Sequence, residues 1–306
     1  MISVKRIVFV SLFLSQLAYS KHAVTYELNG GRFGDNLISY ISAAYFAYIN
    51  KISLMYKEFE YSDLLVLSDL EPRSRTKSKK FTQKVMYNKN LNINTYDSSN
   101  PILFVTTFYN RPQPDASDKE FKKKMRKVIR PKIEIDYPPL PQDHIAIALH
   151  IRTGGGFKMD RQLYAKYPMR FAPFHFYRDQ VKRLLLLYPK KKLYVHIFTD
   201  DKDPKDIVKY LKNEISSDRI TYGCREIGNK HNQHVVEDFF FMLKFKCLIR
   251  PTSNFSKVAE FLGNYEIIIV PATYHKIDDE TWLIDTIRFT QRQSDGKIKS
   301  IKIRCA

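Results

Sequence analysis

Apolar residues along this chain fall into short continuous runs and into stretches with helical spacing, separated by glycine, proline and charged punctuation. Val24 to Leu28 is one such run; it leads into Gly30-Gly31-Arg32-Phe33-Gly34, and Asn36 to Tyr48 then repeats apolar residues at helical spacing. Together they predict a strand, a glycine loop and a helix. Pro101 to Phe108 predicts a second strand, and Asp118 to Ile129 a strongly basic helix. The polar Ser/Lys/Asn-rich region from Glu58 to about Tyr96 is only weakly periodic and predicts no element. Arg130 to Gln142 holds Pro131, Pro138, Pro139 and Pro141, which bars a helix and marks the expected linker between a domain at 21–140 and one at 141–306.

Beyond the linker the pattern becomes regular. Strands are predicted at Ile145–Ile151, Leu193–Thr199, Arg219–Tyr222, Cys247–Arg250 and Glu266–Val270. Helices are predicted at Phe174–Leu187, Lys205–Ile215, Val235–Lys246 and Phe255–Leu262. Alternating units of this length predict an α/β fold with a parallel sheet covered on both faces. Ligands of such sheets gather outside the carboxyl ends of the strands, so the loops after Ile151, at Asp200 and from Arg250 to Ser256 are expected to converge. No internal repeat interrupts this picture.

Composition narrows the class. An apolar fraction of 44%, with 20 Tyr and 21 Phe, is enough for substantial cores and argues against a disordered chain. The net charge of +19 creates a field that attracts phosphates and anionic membrane surfaces. The basic residues are spread along the chain without an RNA-recognition or zinc-finger pattern, so no nucleic-acid partner is expected. Three cysteines, Cys224, Cys247 and Cys305, allow at most one disulfide, and Cys247 in its apolar run is expected in the core. Lys5 and Arg6 precede an apolar stretch from Ile7 to Leu17, followed by Ala18-Tyr19-Ser20. That predicts a leader or uncleaved anchor over residues 1–20, hence an exported or membrane-associated chain; without it the chain would be cytoplasmic.

Chemistry concentrates in the loop after Ile151. His150, Arg152 and three of the ten glycines, Gly154, Gly155 and Gly156, lie within it. Arginine offers a planar fork of donors that suits a diphosphate and stays charged at any relevant pH. Glycines let backbone amides approach the same anion. The loop is neither a Walker loop nor a dinucleotide fingerprint, because the following residues and the glycine spacing differ.

With these residues the sequence resembles a known group. His150-Ile151-Arg152-Thr153-Gly154 is similar to the donor motif shared by bacterial α-1,2-fucosyltransferases, α-1,6-fucosyltransferases and protein O-fucosyltransferases. Phe198-Thr199-Asp200-Asp201 resembles their strand ending in Thr/Ser-Asp. Glu237-Asp238 through Thr252-Ser253-Asn254-Phe255-Ser256 resembles their helix–strand–Ser-Ser-Phe-Ser/Thr module. Gly30-Gly31-Arg32-Phe33-Gly34-Asp35-Asn36 is similar to their first glycine-rich loop.

The resemblance implies a GT-B arrangement, two Rossmann-like domains facing a central cleft. It also implies an inverting, metal-independent transfer of fucose from GDP-fucose to a glycan or protein hydroxyl, with no cofactor beyond the GDP-sugar co-substrate. Arg152 would bind the β-phosphate and stabilise charge on departing GDP. His150 and Asp200 would contact the nucleotide, Asp200 at the guanine edge. Gly154, Asp238, Ser253, Asn254, Phe255 and Ser256 would complete the donor site, and Gly31, Arg32, Phe33 and Asn36 would shape it from the other domain.

Two departures stand out: Asp35 and Asn36 replace the family's Asn and Gln, and the loop after Arg152 carries Gly154-Gly155-Gly156 where relatives often have an acidic or basic side chain. Asp35 is nevertheless the first candidate for a catalytic carboxylate facing an acceptor, with Glu58, Glu60 and Asp63 behind it. His275 with Asp278 and Asp279 is read as a polar loop, His231 to His234 as a polar loop beside the donor, and Trp282 as a core residue. Two other readings keep the fold: a transferase using another nucleotide sugar, and a secreted binding protein without turnover.

Overall fold

The computed structural model describes residues 21–71, 81–96, 99–154, 167–227, 229–230, 232–277, 282–293 and 295–305. The expected leader, Gly155, Gly156, His231, Asp278 and Asp279 lie outside the described residues. The chain divides into two compact units, Met1–Lys132 and Ile133–Ala306, and the division falls inside the proline-rich stretch.

Unit 1 is built on four parallel strands, β1 (Ala23–Tyr26), β2 (Ser53–Leu54), β3 (Gln83–Met86) and β4 (Ile102–Thr106), in the order β2-β1-β4-β3. Helix α1 (Phe33–Asn50) follows β1, a short α2 (Leu67–Leu70) follows β2, and α3 (Lys119–Val128) follows β4. The α1 helix starts earlier than its apolar spacing predicts. The carbonyl of Arg32, in extended conformation, accepts from the Asp35 and Asn36 amides at 2.9 and 3.1 Å, and this sets the first turn. Strand β3 corrects the reading of the polar region as structureless. It pairs with β4 at the sheet edge and leaves three of its four residues exposed, so no apolar pattern is needed to form it. The core of this unit is aromatic: Tyr26 and Tyr40 meet edge-on at 6.1 Å, and Tyr40 and Tyr56 at 6.2 Å.

The described residues of unit 2 form seven strands: β5 (His144–Ile151), β6 (Lys192–Thr199), β7 (Ile220–Cys224), β8 (Cys247–Ile249), β9 (Ile267–Lys276), β10 (Trp282–Arg292) and β11 (Ile298–Arg304). Their order is β11-β10-β9-β8-β5-β6-β7. The helices are α4 (Phe174–Leu187), α5 (Pro204–Glu214), α6 (Val235–Met242) and α7 (Asn254–Leu262). From β9 to β7 all pairings are parallel, as the strand–helix alternation predicts.

The sheet does not stop there. β9 runs on through Pro271 and pairs antiparallel with β10, which pairs antiparallel with β11. The parallel order expected for the strands up to Val270 holds, and the antiparallel pair adds strands that the alternation does not predict. β11 is exposed along most of its length, so its alternation of isoleucine and charge reads as surface rather than as a sheet member. Trp282 lies on this hairpin, half-buried, with its ring 5.1 Å from Tyr274, and is not a core residue.

Ile145, Ile147, Leu149 and Ile151 of β5 join one buried cluster with Tyr177, Val181 and Leu184 of α4 and Ile207 and Leu211 of α5. Cys247 is buried on β8 as expected, and burial pushes its thiol up to about 12. All three cysteines are free. No described helix is long and apolar enough to cross a membrane.

On β6, His196 is buried among Phe198, Phe241 and Phe245, and its Nδ1 lies 3.0 Å from the Tyr194 hydroxyl. Burial, aided by nearby Arg225, holds the imidazole down at about 4, against an ordinary value of 6.5. The folded state thus resists a proton that the unfolded chain accepts, and stability falls as pH drops from 6.5 to about 4. Urea unfolding across that interval should show His196→Gln losing less stability than the parent, by roughly 3 kcal/mol. Parallel pH profiles for the two proteins would contradict this account of His196.

Candidate functional site

The order of unit 2 places a topological switch at β5. Strands β6 and β7 extend the sheet on one side of it, and β8 and β9 on the other. The crevice outside the carboxyl ends of β5 and β8 is where doubly wound sheets hold ligands. The loops after β5, β6 and β8 are those the sequence singled out, and direct contacts join them.

At the end of β5, His150 Nδ1 lies 2.8 Å from Ser256 Oγ on α7, and its ring centroid is 5.6 Å from that of Phe255. His150 is buried, as are Ser253 and Ser256. Ser253 stands in extended conformation just before α7, with no side-chain cap bond to the helix. The first turn of α7 therefore faces the end of β5, and such helix starts favour anions through their amides and dipole. Asn254 and Phe255 open that turn.

Arg152 follows β5 directly and is buried. Its guanidinium carbon is 5.5 Å from the centroid of Phe171, a cation–aromatic approach. Next to it, Thr153 donates its amide to Asp200 Oδ1 at 2.7 Å and its hydroxyl to the same oxygen at 3.2 Å. Asp200 thus ties the loop after β5 to the end of β6. Gly154 continues the loop at φ 85, a conformation that an L side chain strains to adopt. Beneath them Tyr177 of α4 is fully buried. Burial first, and then the charge of Asp200, push its hydroxyl well above its ordinary value.

Other expected residues have local partners. Asp238, in the first turn of α6, is ion-paired with Arg225; burial pushes its carboxyl up, and Arg225 opposes that shift. In unit 1, Gly31, Arg32, Phe33, Asp35 and Asn36 form the entry to α1. A Cβ on Gly31 would stand 2.6 Å from the Asp35 Cβ and 2.7 Å from Asn29 Oδ1, so the loop admits only glycine there. His275 pairs with Asp285 across β9 and β10. Among the described residues, no group of three or more His, Cys, Asp or Glu is gathered as a metal centre.

Sequence reasoning passed over several residues that build this region. Asn229 is buried and donates to the Thr199 carbonyl at 3.0 Å and to that of Asp201, bracing the end of β6. Phe171 and Tyr177 flank Arg152 from segments without a motif. At the end of β8, buried Arg250 donates Nε to Glu260 Oε2 at 2.7 Å, and Arg288 Nη2 donates to Glu260 Oε1 at 2.9 Å. Burial alone would raise the Glu260 carboxyl, but the two arginines together hold it below its ordinary range.

Comparison with known proteins gives no match to any family model and none to a curated protein. Solved structures are similar. For POFUT1 in complex with GDP-fucose, identity is 10% and the TM-score 0.49, covering 80% of this chain and 96% of that one. For NodZ α-1,6-fucosyltransferase co-crystallized with GDP, identity is 13% and the TM-score 0.48, covering 83% of this chain and 96% of the other.

The Arg250–Glu260–Arg288 cluster generates a prediction. Glu260→Ala leaves a buried guanidinium uncompensated and should cost about 3–5 kcal/mol in urea unfolding. Because the Glu260 carboxyl is depressed in the folded state, its contribution is present above the ordinary value of 4.5 and is lost as pH falls below it. The deficit of the variant should therefore shrink in acid. A deficit that is small at neutral pH, or unchanged at pH 3, would show that the cluster does not brace this loop.

Proposed function

We propose that the chain is a glycosyltransferase that moves fucose from GDP-fucose to a hydroxyl of a glycan or protein, with inversion and without a metal. The observation that carries this reading is the joining of three loops at one end of the unit 2 sheet: buried Arg152 after β5, Asp200 after β6, and Ser253–Ser256 at the start of α7. The motif resemblance of those same three segments supplies the donor, and the chemistry of the residues fits it.

In this reading Arg152 receives the β-phosphate. As the bond between C1 of fucose and the β-phosphate oxygen breaks, its electron pair leaves with GDP, and the fixed positive charge of Arg152 stabilises it. The amides opening α7 and the hydroxyl of Ser253 take phosphate oxygens, and Gly154 allows the backbone to approach. The acceptor hydroxyl attacks C1 from the opposite face, forming the new glycosidic bond and passing its proton to solvent water. Thr153 keeps Asp200 Oδ1 engaged, so Asp200 fixes the loop that carries Arg152, and its second oxygen is the one this reading assigns to the nucleotide.

The reading predicts that GDP raises the melting temperature more than UDP or ADP at equal concentration. It also predicts that Arg152→Ala lowers GDP-fucose hydrolysis and transfer by about a hundredfold to a thousandfold with the fold intact. Equal shifts from all three nucleotides would defeat the guanine assignment. Undiminished turnover in the variant would defeat the site.

A further inference from the structure

Helix α3 of unit 1 presents one face to the protein and a different chemistry outward. Phe121, Met125 and Val128 are buried at helical spacing. Lys119, Lys123, Lys124 and Lys127 are exposed, and exposed Arg130 extends the basic run beyond the helix, while Lys132 is ion-paired with Asp69 at 2.6 Å. The helix itself carries one acidic residue, Glu120.

Exposed aliphatic residues border this basic surface. Tyr48 packs on Phe121 of α3 at 5.3 Å between ring centroids, and with Ile49, half exposed, it ends α1. The Leu64 carbonyl accepts from the Lys132 amide at 2.9 Å. Leu70 directly follows Asp69, the residue that pairs with Lys132. Leu64 and Leu70 are 46% and 59% exposed, so their side chains are available to an apolar phase beside the lysines.

We propose that this surface docks unit 1 onto an anionic lipid surface. A basic cluster attracts anionic headgroups, each Lys or Arg strengthening binding several-fold. Aliphatic side chains beside it enter the boundary between headgroups and acyl chains. The aliphatic border selects lipid over a soluble polyanion. A nucleic acid or sulfated glycan satisfies the lysines but gives Leu64, Leu70 and Ile49 nothing to bury against, and single-stranded nucleic acids favour aromatic platforms.

The test is co-sedimentation of the full chain with vesicles of phosphatidylcholine alone and of phosphatidylcholine mixed with phosphatidylserine. Binding is expected only to the mixed vesicles, to weaken with added salt, and to fall about a hundredfold in the Lys119→Gln/Lys123→Gln/Lys124→Gln variant. These lysines are exposed, and an unchanged melting temperature checks that the variant folds. A second variant, Leu64→Ser/Leu70→Ser, should lose vesicle binding while retaining any affinity for heparin or an RNA oligonucleotide. Equal binding to both vesicle types, full binding by the lysine variant, or full vesicle binding by the leucine variant would each overturn the proposal.

Discussion

The burial of β5 between β6 and β8 is the constraint on which unit 2 depends. Its register sets Leu149 opposite Ile197 on one side and Ile249 on the other. Both faces are covered, so a slip by one residue would turn the isoleucines and leucine out of their cluster and drive small or polar residues into it. That penalty locks the strand. With the register locked, His150 is carried to the start of α7 and Arg152 to the strand's end, the side on which doubly wound sheets hold ligands. The apolar face of β5 thus determines where the polar chemistry stands.

Charge around this point is arranged in two layers. The inner layer is Arg152, buried against Phe171 in a loop tied down by the bond from Thr153 to Asp200. The outer layer is the trio of Arg250, Glu260 and Arg288, which links the end of β8 to α7 and to β10. One carboxylate shared by two arginines leaves that layer net positive, and the loop leading into α7 is built upon it. The antiparallel extension of the sheet gains a purpose here, because β10 supplies Arg288. A sheet ending at β9 would leave Glu260 with one partner.

Much of this arrangement was legible in the residues. The strand–helix alternation after the linker gave the parallel order, and Phe174–Leu187 matched its helix because its apolar spacing is clean and Pro173 precedes it. The convergence of the loops at Ile151, Asp200 and Ser253 followed from the same alternation. Other features lay beyond a linear pattern. β3 and β11 are edge strands with little to bury, so the period of two carries no apolar signal. Glu260 and Asn229 act through partners ten to thirty residues away, and only the folded chain brings them to the loops they brace. The bond between Asp200 and Thr153 is likewise a contact across 47 positions that the motif of either residue does not announce.

The claim on which the functional reading turns is that Arg152 meets the second phosphate of a guanine nucleotide. Calorimetric titration of GDP and of GMP into the parent chain and into Arg152→Ala isolates that contact, because the two ligands differ only in the β-phosphate. The account predicts that the parent favours GDP by tenfold or more, on the scale of a charge-assisted bidentate contact, and that the variant binds the two alike. A preference for GDP that survives intact in Arg152→Ala would place the β-phosphate elsewhere and contradict it.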